Sequence, residues 1–148
     1  MKVAIGSDHA GFEIKQLVPE ILATTGMQVE DFGTFSADSV DYPDYAEKVG
    51  IAVQAGRADR GVLVCGTGLG VCIAANKIHG IRAAAPWSPE TARLSRQHND
   101  ANVLCLSGRH MEKALVLELL KIWLETPFEG GRHQRRITKI AEIEKRNE

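Results

Sequence analysis

Short apolar runs alternate along the chain with longer segments whose apolar residues recur at a helical period. "KVAIG" (2–6) opens the series as a strand. In "GFEIKQLVPEILATTG" (11–26), Phe12, Ile14, Leu17, Val18, Ile21 and Leu22 fit a helix, with Pro19 predicting a kink or a new turn. "MQVEDFG" (27–33) alternates and predicts a second strand, and "DYPDYAEKVGIAVQAG" (41–56) a helix that begins near Pro43 and closes at Gly56. "GVLVCG" (61–66) has no polar alternation, as expected of a strand covered on both faces. After it come a small-residue helix (69–77), a strand over "GIRAAA" (80–85) and a helix over 88–99 with Ser88 as N-cap and Pro89 in its first turn. A fifth strand, "ANVLCLSG" (101–108), an amphipathic helix (112–125) and a highly charged helix (131–146) complete the series.

Strands that alternate with helices imply parallel βαβ crossovers. The predicted fold is α/β: a single domain over residues 1–148, a Rossmann-like three-layer α/β/α sandwich on five parallel strands. Ligands in such sheets bind beyond the carboxyl ends of the strands. Those ends carry Asp8–His9, Cys65–Gly70, Pro86–Trp87 and Gly108–Arg109.

Composition narrows the function. A net charge of −1 gives no field that draws the chain to nucleic acid or to a membrane surface. No apolar run approaches the roughly 20 residues of a membrane-spanning helix, and the N-terminal apolar stretch is too short for a signal peptide. Three cysteines, an odd number set in apolar runs, predict reduced thiols and a cytoplasmic protein. None has the spacing of a zinc pair.

"GTGLG" (66–70) lacks the third glycine of G-x-G-x-x-G in its proper place, and no acidic residue ends the following strand, so a dinucleotide site is disfavoured. "GSDHAG" (6–11) continues with Phe-Glu and is not a P-loop. A strand–glycine turn–helix still aims backbone N–H groups at one spot, which suits an anion or an oxyanion, although a tight packing turn reads the same way. Cys65 closes that strand beside a predicted helix N-terminus, at an edge expected to be partly open to ligand; a thiolate there can act as base or nucleophile. Cys72 and Cys105 are assigned to packing. Asp8 and His9, then His98 and Asn99 in "SRQHNDANVL" (95–104), form two polar clusters flanking the same sheet. Arg132 and Arg136, four apart on one helix face, form either a solvated basic surface or, with Arg109 nearby, a phosphate grip. A thiol base, a proton shuttle, an oxyanion turn and an arginine clamp suit proton movement beside a carbonyl of a phosphorylated substrate.

"SDHAGF", "DYPDYA", "CGTGLGVCIAANK", "GIRAA", "RQHNDANVL" and "EGGRHQRR" together resemble the type B ribose-5-phosphate isomerase family from residue 2 to about residue 145. The resemblance implies an α/β/α sandwich and a cofactor-free, metal-free aldose–ketose isomerase that works as a homo-oligomer, dimer or tetramer. It implies that Cys65 moves a proton between C2 and C1 through an enediolate. The amides of Gly66, Thr67, Gly68, Leu69 and Gly70 would cradle the oxyanion, and Thr67 and His98 would open the furanose ring. Asp8, His9 and Asn99 match sugar-binding positions, and Arg109, Arg132 and Arg136 match phosphate or sugar contacts. Some relatives place a Glu just past the glycine turn; Val71 stands there here, which leaves Cys65 as the base in that region. The substrate expected is ribose 5-phosphate, with an allose or galactose 6-phosphate and a non-catalytic sugar-phosphate binder as alternatives. The final helix, with Ile137, Ile140 and Ile143 on a second stripe, is expected at a subunit interface. His98, Asn99 and Arg109 are expected together at the far strand, reaching a neighbour's Cys65.

Overall fold

A computed structural model describes residues 1–148. Its elements run β1 (Lys2–Ser7), α1 (Phe12–Ala23), β2 (Gln28–Asp31), α2 (Tyr42–Gln54), β3 (Arg60–Cys65), α3 (Leu69–Ala75), β4 (Ala83–Ala84), α4 (Pro89–Gln97), β5 (Val103–Ser107), α5 (Lys113–Glu125) and α6 (Arg132–Arg146). The five strands are all parallel, in the order β2-β1-β3-β5-β4. This bears out the expected α/β sandwich.

Strand alternation sorts the core into two layers. Val3, Ile5, Val62, Val64, Leu104 and Leu106 face α1, α4 and α5, where Val18, Leu22, Leu119 and Trp123 are fully buried. Ala4, Leu63, Cys65, Val103 and Cys105 face α2 and α3, whose Ala46, Val49, Val71 and Ala75 are small enough to pack close to the sheet. The fully covered strands β1, β3 and β5 are the ones that read as unbroken apolar runs.

One local expectation, the length of strand four, is corrected. Helix α1 runs through Pro19, so of the two outcomes predicted there no separate helix begins. Val18 and Leu22, on either side of the proline, are both fully buried, and burying each is worth about 1.5–3 kcal/mol, enough to offset one missing helix bond. Strand β4 is only two residues long. Its neighbouring backbone donors go to side chains instead of a ladder: Arg82 N–H to Asn102 Oδ1 at 2.7 Å and Ala83 N–H to Asn76 Oδ1 at 2.8 Å. Ser88 caps α4 as expected, in a capping box with Thr91.

The direction in which strands are added to the sheet reverses between β1 and β3, since β2 lies on one side of β1 and β3, β5 and β4 lie on the other. That reversal opens a crevice at the carboxyl ends of β1 and β3, next to Asp8 and Cys65. Because β5 lies directly beside β3, it also delivers Ser107–Arg109 to the same edge.

Candidate active site

The carboxyl edge is built as one knot of backbone. Asp8 N–H donates to Val64 O at 3.3 Å, Gly108 N–H to Cys65 O at 2.8 Å and Arg109 N–H to Gly66 O at 3.1 Å. Ser107 Oγ–H donates to Gly66 O at 2.7 Å and accepts from His110 N–H at 2.9 Å. Ser107 belongs to none of the motifs read from the sequence; its only signal is a polar residue ending an otherwise apolar strand. Close approach demands glycine at Gly11, where a Cβ would stand 2.3 Å from Val64 O.

Cys65 ends β3 with its side chain turned to the α2/α3 face, and Gly68 N–H donates to its Sγ at 3.2 Å. Gly68 holds φ +81°, the left-handed conformation that starts α3 and aims this amide back at the sulfur. Cys65 is only 4% exposed, more enclosed than the open edge expected from sequence, because it packs in one cluster with Val71 of α3 and Cys105 of β5. Thr67 is exposed at the turn, and its Oγ1 accepts from Leu69 N–H at 3.1 Å. Gly70 lies against the ring of Tyr42, leaving no room for a side chain there.

Asp8 is buried, and its Oδ1 accepts from Gly11 N–H at 3.0 Å, closing the turn into α1. His9 Nδ1 accepts from Val40 N–H at 3.2 Å. The neutral ring therefore carries its proton on Nε2, which is left as a donor for an anion or hydroxyl. The loop bearing Val40 is anchored upstream by Asp31, which accepts from Gly33 N–H at 2.8 Å and pairs with the buried Lys15 at 2.7 Å.

The second group of predicted residues lies elsewhere. Helix α4 carries the chain back across the sheet, so His98, its C-cap, and the exposed Asn99 stand at the amino edge, just before β5 begins. Asn102 marks that level: it bonds the starts of both β3 and β4 through Gly61 N–H to Asn102 O at 2.9 Å and Asn102 N–H to Arg82 O at 3.0 Å. Asp100, at φ +45°, is held between Arg96 Nη1 at 2.8 Å and Arg82 Nη2 at 3.4 Å, and so shapes the loop that presents His98 and Asn99. Helix α6 docks here through His133, whose ring stacks on that of His98 with centroids 4.1 Å apart and planes 12° apart. Arg132 and Arg136 are exposed on the same helix.

The structure thus divides the predicted site. Asp8, His9, Cys65 through Gly70 and Arg109 share the carboxyl edge; His98, Asn99, Arg132 and Arg136 share the amino edge. The expected grouping of Arg109 with His98 and Asn99, and with the α6 arginines, is corrected: Arg109 follows β5, whereas His98 and Asn99 precede it, and a parallel strand keeps its two ends apart.

His98, Glu129 and His133 have ligand-type atoms within 4.8 Å of one another. The two stacked rings send their in-plane lone pairs alongside each other rather than to a common point, so the trio does not converge on an ion without a ring rotation. Cys72 is half-buried and its thiol donates to Ala83 O at 3.5 Å; the neighbouring Cys105 thiol lowers it to about 7 against the opposing effect of burial, while burial pushes the Cys105 thiol up.

The model of the Ribose/Galactose Isomerase family matches residues 3–140. Ribose-5-phosphate isomerase B of Escherichia coli (strain K12) is 47% identical over 145 residues, covering 98% of this chain and 97% of that protein. Among solved structures, ribose-5-phosphate isomerase B of Clostridium thermocellum superposes with a TM-score of 0.97 at 50% identity, covering 100% of both chains. The enzyme of that name from Mycoplasma genitalium, solved with bound ribulose 5-phosphate, has a TM-score of 0.93 at 46% identity and covers 97% of this chain and 96% of that one. With the Cys65 turn, the Asp8–His9 pair and the arginine helix in the places described, this chain belongs to the Ribose/Galactose Isomerase family.

Proposed function

We propose that this chain interconverts ribose 5-phosphate and ribulose 5-phosphate without a cofactor, at a site completed by two copies of the chain. The observation that carries the reading is the division just described. A buried thiol lies under a turn of backbone donors at one edge, and a histidine with two free arginines stands at the other, too far away to meet it within one molecule. The relatives named ribose-5-phosphate isomerase B, one with ribulose 5-phosphate bound, support the substrate.

In this reading His98 of one chain and Thr67 of the other open the furanose: a proton leaves the C1 hydroxyl, the C1–O4 bond breaks and O4 gains a proton. The Cys65 thiolate then takes the C2 proton. The electron pair of that C–H bond forms the C1–C2 double bond, and the former C1 carbonyl oxygen becomes an enediolate oxygen held by the amides of Gly66 through Gly70. Return of the proton from Cys65 to C1, with transfer of the C2 hydroxyl proton to the C1 oxygen, gives the ketose. Asp8, His9 and Asn99 hold sugar hydroxyls, and Arg109, Arg132 and Arg136 bind the phosphate.

Exposed Ile140 and Ile143 on α6 line, with Ile81 and Asn99, a groove of about 680 Å³. A second copy packing there would cover these isoleucines and place the α6 arginines at the shared site. No helix is long and apolar enough to cross a membrane, and three free thiols suit a reducing compartment such as the cytoplasm.

The test is turnover of ribose 5-phosphate, allose 6-phosphate and galactose 6-phosphate in deuterated water, alongside sedimentation. The expected result is a dimer or larger assembly that turns over ribose 5-phosphate fastest and incorporates one deuterium. A monomer with full activity, or preference for a hexose phosphate, would overturn the reading.

A further inference from the structure

We propose that His133 is a positioning residue that sets the ring plane of His98 for opening the furanose; the inference rests on the role given to His98 above. His133 lies in the first turn of α6 and is 6% exposed, while Arg132 and Gln134 on either side face solvent. Its ring covers one face of His98 at a centroid distance of 4.1 Å and an angle of 12°. Face-to-face contact uses the π surface and leaves the His98 nitrogens at the rim, where a sugar hydroxyl and a ring oxygen would need them.

The contact is built in rather than incidental. The segment that leads into α6 is tied to the last residue of α4 by Glu129 N–H donating to Gln97 O at 3.1 Å, and His133 N–H donates to Gly130 O at 3.2 Å. The two histidines are thus brought together by backbone bonds on both sides. His98 itself ends a helix, where rotation of the side chain is least restrained. A stacked partner removes that freedom before substrate arrives, and a misplacement of 1 Å at a reacting group can cost about 10²-fold in rate.

The titratable and charged groups around His133 are His98 at the end of α4, Glu129 from the preceding segment, and Arg132 and Arg136 from its own helix. Burial, and then the charge of His98 and Arg132, lower its proton affinity below the usual histidine value, with Glu129 opposing and Arg136 adding to the effect. His133 therefore meets His98 as a neutral ring at neutral pH. Its Nε2 stands 3.6 Å from Glu129 Oε2, beyond hydrogen-bond length, so its ring face is the part that acts.

Ribulose 5-phosphate separates positioning for ring opening from general structural support. Its O5 carries the phosphate, so it cannot close a furanose and reaches Cys65 already open. Ribose 5-phosphate must be opened first, by the enzyme or slowly in solution. His133→Ala, His133→Phe and His98→Asn are compared with the unmodified protein at rising enzyme concentration, from each substrate in turn. The expected result for His133→Ala is a ribose 5-phosphate rate reduced by on the order of 10²-fold. That rate should stop rising with enzyme once spontaneous opening in solution is limiting, while ribulose 5-phosphate consumption keeps rising with enzyme. His133→Phe, which keeps a flat ring and no nitrogen, should restore most of the enzyme-dependent rise.

Equal loss from both substrates with no plateau in His133→Ala, set against a clear plateau in His98→Asn, would overturn the positioning role and leave the reading of His98 intact. The positioning role also fails if His133→Phe is as impaired as His133→Ala. Absence of a plateau in His98→Asn itself would remove the ring-opening role of His98, and the inference with it.

Discussion

Cys65 and His98 stand at opposite ends of one parallel sheet. Cys65 closes β3 at the carboxyl edge, and His98 caps the helix that precedes β5 at the amino edge. The five residues of β5 alone span about 16 Å at ~3.3 Å per residue, far more than a side chain can bridge. If both act on one sugar, they come from different chains. In a two-fold dimer, one Cys65→Ala chain and one His98→Asn chain would leave one site with both lesions and one site intact. Equal mixing should therefore return about a quarter of the unmodified ribose 5-phosphate activity, measured at low enzyme concentration where each variant alone turns over little of this substrate. Mixed dimers, verified by mass, that stay inactive would argue against a shared site.

Cys65→Ala should fold. It deletes one small buried atom and one hydrogen bond to Gly68, a loss of about 1–2 kcal/mol that thermal unfolding can read. Isomerisation should fall by on the order of 10²–10⁴-fold, and exchange of the C2 proton with solvent should fall in parallel. Cys65→Ser should fare almost as badly, since a hydroxyl yields little alkoxide near neutral pH. Persistent C2 exchange in Cys65→Ala would shift the base elsewhere, with Asp8 at the same edge the next residue to test.

Gly68→Ala places a side chain at φ +81° with its Cβ 3.1 Å from Leu106 O. The left-handed conformation alone costs about 1–2 kcal/mol. Relief would come by turning the Gly68 amide away from Cys65 Sγ. Stability and activity should therefore drop together, and activity should drop further than the lost folded fraction accounts for.

Arg132 and Arg136 lie exposed beside the His98–His133 stack. A charge-assisted bond to a phosphate is worth about 1.5–3 kcal/mol, or about 10–150-fold. Arg136→Ala should weaken ribose 5-phosphate binding by that much and leave binding of unphosphorylated ribose unchanged. Calorimetry with both sugars checks it; equal loss for both would place the residue in the fold instead of the phosphate grip.

The Cys72 thiol, lowered to about 7 by the neighbouring Cys105 thiol, gives a pH dependence of its own. Only the thiolate is alkylated, so labelling of Cys72 should rise as pH increases through about 7 and level off above it. Cys105, fully buried and pushed up, should remain unlabelled over that range. Mass spectrometry of tryptic peptides after brief iodoacetamide treatment from pH 6 to 9 separates the two, and Cys105→Ala should move the Cys72 midpoint upward.

Much of the fold was legible because local periodicity reports burial directly. The apolar runs of β1, β3 and β5 have no polar alternation since both of their faces are covered, and Ser88–Pro89 announced α4 through a cap that forms as read. Pro19 stays within α1 because its local penalty is smaller than the burial of Val18 and Leu22 beside it. The edge strand is shorter than its sequence suggests: "GIRAAA" has strand composition, but the side chains of Asn76 and Asn102 take the backbone donors that a longer ladder would need.

The candidate site was legible as a set of residues, not as an arrangement. Motif chemistry pointed to Cys65, the glycine turn, Asp8, His9, His98 and the arginines. Ser107 and His133 escaped notice since each acts through a partner distant in sequence: Gly66 for one, His98 for the other.

The sequence by itself determined the class of fold and the kind of chemistry, because strand and helix periods, a thiol at a strand end and glycines in a turn are properties of neighbouring residues. Tertiary structure alone decided which edge each functional group occupies. Placing β5 between β3 and β4 brings Arg109 to Cys65, while the return of α4 sends His98 and Asn99 to the far edge. Strand order and chain direction arise from packing between distant segments, and no local pattern of side chains encodes them.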